Sequence, residues 1–162
     1  MSSAIELVKA HLAAENAQDV AATLATFADD CFYRIPAQGI DLRGKERIGA
    51  YYATLFATFP DFVNVEGTYY EAADNVFVEL SVRRTHTNAW GPVPASGRVL
   101  HTSSLAHFPL AADGLLAGEI VYLNPVESLY QTGALPSADL FEVAAELARL
   151  REQVARLTRA AR

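Results

Sequence analysis

VFVELSVRRTHTNAW, residues 76–90, places Val76, Val78, Leu80 and Val82 at every second position. That is the period of a β-strand with one face against a core. The same face continues to His86 and Asn88, with Trp90 beyond. Polar side chains on a buried face cost about 1–3 kcal/mol each if left without partners, so internal hydrogen bonds or a bound ligand must answer them. The expectation is a hollow behind this strand rather than a sealed core. Asn124 repeats the pattern, ending the apolar run Ile120-Val121-Tyr122-Leu123 just before Pro125 stops the strand.

Outward from this stretch, residues 62–72, 76–87, 98–109 and 116–124 are rich in Val, Tyr, Phe, Thr and Leu. Turn formers separate them at Asp74-Asn75, Gly91 to Gly97 and Asp113-Gly114. They predict four consecutive antiparallel strands. Upstream, Ser3 and Glu6 have capping-box spacing, and Ile5, Val8 and Leu12 predict an amphipathic helix over 3–16. A short helix over 19–27 is expected to bury Val20, Leu24 and Phe27 and to break at Asp29-Asp30, before a strand over 31–35 that Pro36 ends. Residues 39–44 read as a turn-rich link. Ile48, Tyr52, Leu55, Phe56 and Phe59 predict a helix over 45–59, stopped by Pro60. Helices followed by a meander give an α+β domain whose helices cover one face of a curved sheet.

From Asp139 the pattern changes once more. Leu140, Val143, Leu147, Leu150, Val154, Leu157 and Ala161 alternate spacings of three and four, the signature of heptad a and d positions. Glu146 at g would meet Arg151 at e of a parallel neighbour; folding back onto its own domain is the alternative. The chain therefore divides into an α+β domain over 1–136 and a C-terminal dimerisation or packing helix over 137–162.

With 162 residues, 51% of them hydrophobic, the chain can bury one sizeable core. A net charge of −6 and the lack of a basic face outside the last helix argue against nucleic acid and anionic lipid as partners. Cys31 is the only cysteine, so no internal disulfide can form, and neither a secretory leader nor a membrane-spanning run is legible. A cytoplasmic location is expected. No P-loop, dinucleotide fingerprint, nucleophile elbow or zinc-protease helix occurs, so no cofactor is expected. No metal site is expected among His11, His86, His101 and His107 either, and His11, beside Leu12, reads as a surface residue.

His86, His101 and His107 fall in strands, and imidazole titrates closest to neutrality, so a cavity histidine can act as acid or base. His101 and His107 share a strand face by parity. Tyr33, Tyr51 and Tyr52 offer phenolic donors where helix meets sheet, although each also suits a core.

The runs FPDF at 59–62, THTNAWGPVPASGR at 85–98 and VYLNPVESLYQTG at 121–133 resemble the SnoaL-like polyketide cyclases and ester cyclases, within the nuclear-transport-factor-2-like superfamily. The resemblance runs through residues 3–135 in element order and leaves out the heptad helix. It implies a cone-shaped barrel, a curved and mostly antiparallel sheet wrapped around the N-terminal helices, enclosing an apolar pocket that works without a cofactor. It also implies a homodimer formed through the open face of the sheet. In the cyclases an aspartate on the last strand removes an acidic α-proton from a polyketide ester, and the enolate closes a ring by aldol attack. By its distance from Gln131-Thr132-Gly133, that position is Asn124 here. A carboxamide cannot accept the proton, although it can orient a substrate or donate to an oxyanion.

Three readings follow. The first is a cofactor-independent cyclase of a polyketide-type or related natural-product intermediate, as in antibiotic biosynthesis. Here His86 or His107 moves the proton and Asn124 steadies developing charge, with Tyr33, Tyr52, Phe56, Phe59, Asn88, Trp90, His101 and Tyr122 binding a hydrophobic small-molecule substrate. The second is a non-catalytic binding or assembly module of the same fold. The third is an epoxide hydrolase or epoxide-opening cyclase, for which no pocket-facing Asp/Arg/Asp set is evident.

Overall fold

Ser3 accepts a hydrogen bond from the Glu6 amide at 3.2 Å and so starts the first helix where the capping-box spacing put it. The computed structural model describes residues 3–160. Helix α1 (Ala4–Asn16) is followed by α2 (Val20–Ala25), β1 (Phe27–Ile35), a 3₁₀ turn at Pro36–Gln38, β2 (Ile40–Arg43) and α3 (Lys45–Thr58). The meander β3 (Val63–Ala72), β4 (Asn75–Thr85), β5 (Val99–Pro109) and β6 (Leu116–Leu123) comes next, then α4 (Pro125–Thr132) and α5 (Leu140–Ala160).

The six strands form one sheet in the order β2-β1-β6-β5-β4-β3. All neighbours are antiparallel except β1 and β6, which run parallel. The sheet curves round α1, α2 and α3 and stays unclosed, with β2 and β3 as free edges. Its inner face carries Val76, Val78, Leu80 and Val82 of β4 and Ala106 and Phe108 of β5, packed against Val8, Leu12, Ile48 and Phe56.

Two segments before the meander differ from the sequence expectation, and helix α4 after it was not expected. Phe27 begins β1 rather than ending a helix, and Asp29 and Asp30 lie inside the strand, exposed, where the β1–β6 register slips between Phe27 and Phe32. Residues 40–43 are a short edge strand, not a link, because all four pair with β1. Neither segment carries a long period-two pattern, so only pairing defines them.

The family-like motifs prove to be fasteners. Asp61 of FPDF accepts from the Thr85 amide at 2.5 Å and its hydroxyl at 2.7 Å, tying the end of β4 to the end of α3. The Gln131 side chain bonds the His101 backbone twice, at 2.8 and 2.7 Å, and docks α4 on β5.

Helix α5 shows most of its apolar stripe to solvent: Leu140, Leu147, Leu150, Val154 and Leu157 are exposed and only Val143 is buried. Ala161, the last heptad position, lies outside the described residues. No described helix is long and apolar enough to cross a membrane.

Candidate functional site

Val8, His11, Leu12 and Glu15 form one face of α1, and all four are buried. Residues at these spacings lie above one another on a helix, so a face that buries Val8 and Leu12 must also bury His11 and Glu15. Opposite them, α3 supplies Tyr52 and β6 supplies Glu119, both buried.

These four side chains make one network. Thr26 gives its hydroxyl proton to the Thr23 carbonyl at 2.7 Å, and its oxygen lies 2.7 Å from His11 Nδ1. Nδ1 therefore carries a hydrogen and donates it. Nε2, on the other side of the ring, lies 3.4 Å from both Glu15 Oε1 and Glu119 Oε2. The Tyr52 hydroxyl stands 2.7 Å from Glu15 and 2.8 Å from Glu119. One phenol has one proton to give, so the second short contact is a hydrogen bond only if that carboxyl is itself protonated.

The electrostatics agree with this count. Burial alone would lower the His11 pKa, but hydrogen bonds to Glu119 and Glu15 and their charges carry it up to about 9. Burial, then the Glu15 charge, pushes Glu119 up, against the opposing pull of His11 and Tyr52. Burial works against the charge on Glu15 too, but His11, Tyr52 and Asn64 outweigh it, and its pKa falls. Asn64 Nδ2 donates to Glu15 Oε2 at 2.9 Å. The site is thus an imidazolium between two carboxyls that a phenol joins, with Glu119 held toward its protonated form and Glu15 toward its ionised one. His11, Glu15 and Glu119 also bring three ligand atoms within 4.8 Å of one another. The Tyr52 hydroxyl stands among them, 2.7 Å from Glu15, 2.8 Å from Glu119 and 3.4 Å from His11.

Glu15 and Glu119 open onto a hollow of about 60 Å³, which Tyr33, Tyr51, Phe59, Trp90 and Arg84 also line. That is room for a handful of waters or one small ring.

The residues expected from the sequence are dispersed. Tyr33, Phe59 and Trp90 line the hollow, Tyr52 stands behind it in the carboxyl network, and Phe56 stacks on Tyr52 with ring centres 5.7 Å apart. His86 is buried against Phe59, but its Nδ1 meets Ser96 Oγ at 3.1 Å and it is not part of the hollow's wall. Burial, then the positive charge of Arg84, lowers its pKa and keeps it neutral.

Neither His86 nor Asn124 lines the hollow, and the expected pairing there is corrected. Asn124 is exposed and caps α4, its Oδ1 accepting from the Val126 and Glu127 amides at 3.1 and 3.4 Å. His107 lies on the outer sheet face, donating through Nε2 to Asn75 Oδ1 at 2.7 Å and stacked on Phe77 at 4.4 Å. His101 and Tyr122 are exposed on that same outer face, and Asn88, also exposed, bonds the Ala57 carbonyl at 2.7 Å. His11, expected at the surface, is fully buried.

Sequence reading missed Glu119, Arg84, Glu15 and His11, although each left a signal. Glu119 shares inward parity with Val121 and Leu123, and Arg84 sits between Val82 and His86 on the inner face of β4. His11 and Glu15 stand at i, i+4 on an apolar stripe.

The SnoaL-like domain model matches residues 8–119. Among solved structures, a candidate polyketide cyclase of Pseudomonas putida KT2440 superposes with a TM-score of 0.74 at 25% identity, covering 81% of this chain and 98% of that one. A second candidate polyketide cyclase, from Xanthomonas campestris pv. campestris, gives 0.74 at 21% identity over 80% of this chain and 96% of that one. A protein with a ketosteroid isomerase-like fold from Catenulispora acidiphila DSM 44928, in complex with trimethylamine, gives 0.66 at 22% identity over 79% and 92%. No protein of curated function matches the chain. The family match over most of the bent sheet and its helices, on an architecture that solved structures share almost from end to end, means that the chain belongs to the SnoaL-like domain family.

Proposed function

We propose that this protein is a cofactor-independent cyclase of a polyketide-type or related natural-product intermediate, with Glu119 as its acid/base group. The observation that carries this reading is a fully enclosed carboxyl with a raised pKa, hydrogen-bonded to a phenol, at the wall of a hollow. Such a group is matched to proton transfer near neutrality. With its own proton passed through the Tyr52 hydroxyl to the Glu15 carboxylate, which returns it at the end of the cycle, Glu119 takes the α-proton of the substrate, and the C–H electrons move onto the carbonyl oxygen as an enolate. The enolate carbon then attacks a second carbonyl, forming the ring bond, and the new alkoxide takes the proton back from Glu119. Tyr52 and His11 are positioning residues: they orient the carboxyl and set its proton affinity. The aspartate position that the resemblance places at Asn124 serves a helix cap here, and β6 offers a carboxyl five residues earlier.

The test is turnover of a short polyketide that closes to a single ring, as its methyl ester and as its free acid, by wild type, Glu119→Gln, His86→Ala and Asn124→Asp. Glu119→Gln is expected to lower turnover about 10²–10⁴-fold, the usual worth of general acid/base catalysis, and the other two to change it only a few-fold. A Glu119→Gln enzyme within a few-fold of wild type would overturn the assignment.

The capped Asn124, the bonded His107 and the narrow hollow favour a second reading, a non-catalytic small-molecule-binding module. A co-purified ligand seen by mass spectrometry, with no turnover by wild type, selects it. Arg84 pairs with neither glutamate, so the carboxylate–arginine set of an epoxide hydrolase is not assembled.

A further inference from the structure

The acid/base chemistry leaves one charged group in the wall unused. Arg84, on the inner face of β4, is only 7% exposed. Its Nη2 reaches Ser128 Oγ at 3.2 Å, and its Nε, fully buried, has no partner. Among the described residues no carboxylate forms an ion pair with it. The guanidinium lies 4.8 Å from the centre of the Phe59 ring and 5.9 Å from that of Trp90, and such contacts offset only part of the cost of burying a charge. The groups around it supply no counter-charge: burial holds Tyr33 and Tyr51 neutral, and His86, two residues along the strand, is neutral too. A guanidinium stays protonated even when burial lowers its pKa, as here. The hollow is therefore built with a buried cation that lacks its anion.

We propose that Arg84 anchors a carboxylate on the ligand, so that this protein takes a small carboxylic acid in its ionised form rather than a neutral ester. The proposal rests on the reading of the hollow as the substrate site. Arg84 is the one basic residue in the described wall, which suits a single negative charge. The planar fork of a guanidinium matches a carboxylate in two hydrogen bonds, and the Arg84 side chain stands in the wall with no carboxylate paired to it. The aromatic walls of Tyr33, Phe59 and Trp90 suit a ring, and the volume admits one ring. Glu15 repels the anionic head, so the carboxylate goes to Arg84 and the far end of the ligand faces Glu119.

Trp90 is the only tryptophan and stands in the wall, so its fluorescence reads occupancy. The full chain is titrated with benzoate and with benzamide at neutral pH, as wild type, Arg84→Met, Arg84→Lys and Glu119→Gln. Wild type is expected to bind benzoate at least about tenfold more tightly than benzamide, the scale of one charge-assisted pair. Arg84→Met should erase that preference, Arg84→Lys should keep part of it, and Glu119→Gln should keep all of it. No benzoate binding, equal affinity for the two probes, or an unchanged preference in Arg84→Met overturns the proposal. The wild-type comparison decides the matter even if Arg84→Met does not fold. Benzoate selectivity that survives in a Glu119→Gln protein of undiminished turnover would sink the acid/base reading and leave the carboxylate anchor standing.

Discussion

His11 and Glu15 show how much a single helical turn can decide. Beside Leu12, His11 reads as a surface residue, but a helix places residues 8, 11, 12 and 15 on one stripe, and a buried stripe takes its polar members with it. The consequence is measurable in the pH dependence of stability. The fold raises His11 from 6.5 to about 9, so it favours the protonated ring. That stabilisation is complete below pH 6.5 and is lost as pH rises through 9. Glu119, also raised, adds a loss in the same direction at lower pH. By linkage the His11 contribution amounts to roughly 3 kcal/mol between those limits. Urea unfolding of wild type should show this fall across the alkaline window, and His11→Gln should flatten it. An equal slope in both proteins would mean that the imidazole is not charged in the fold.

Among the elements, the junction of β1 and β6 holds a close approach between backbone and ring. Gly118 lies under the Phe32 ring, and a Cβ built there would come within 2.6 Å of it. Gly118→Ala is expected to cost about 1–3 kcal/mol, read as a lower thermal midpoint, because the aromatic must shift in a packed sheet. A midpoint equal to wild type would show that Phe32 moves freely. Helix α5 presents the opposite case, a long apolar stripe with little to cover it. Its a and d residues, with Glu146 at g and Arg151 at e, suit a second copy of the chain, and we propose that role for it. Removing the residues after Pro136 should lower the oligomeric mass in light scattering or the thermal midpoint, and no change in either would remove it. Strand β2 and the first half of β1 stayed illegible because edge and bulged segments are made by pairing, not by their own periodicity.

For the molecule as a whole, the two faces of the sheet divide the chemistry. The inner face gathers Glu119 and Arg84 around the hollow, while the outer face carries His101, His107 and Tyr122, where a partner or solvent meets them. The four meander strands, the long helices and the α+β class followed from the sequence alone, because each rests on the spacing of neighbours a few residues apart. The cap at Asn124 was not read from the sequence, which placed that residue in the site, although Asn-Pro-Val-Glu is itself a helix start. The site did not follow from the sequence alone. Tyr52 meets partners 37 and 67 residues away, and nothing local ties α1, α3 and β6 to one point. Periodicity tells which face a residue shares with its own neighbours, a signal that Glu119 and Arg84 carried and the sequence reading passed over. Only the curvature of the sheet over the helices decided that two carboxyls and an imidazole would share protons, while a guanidinium in the same hollow would be left without its counter-ion.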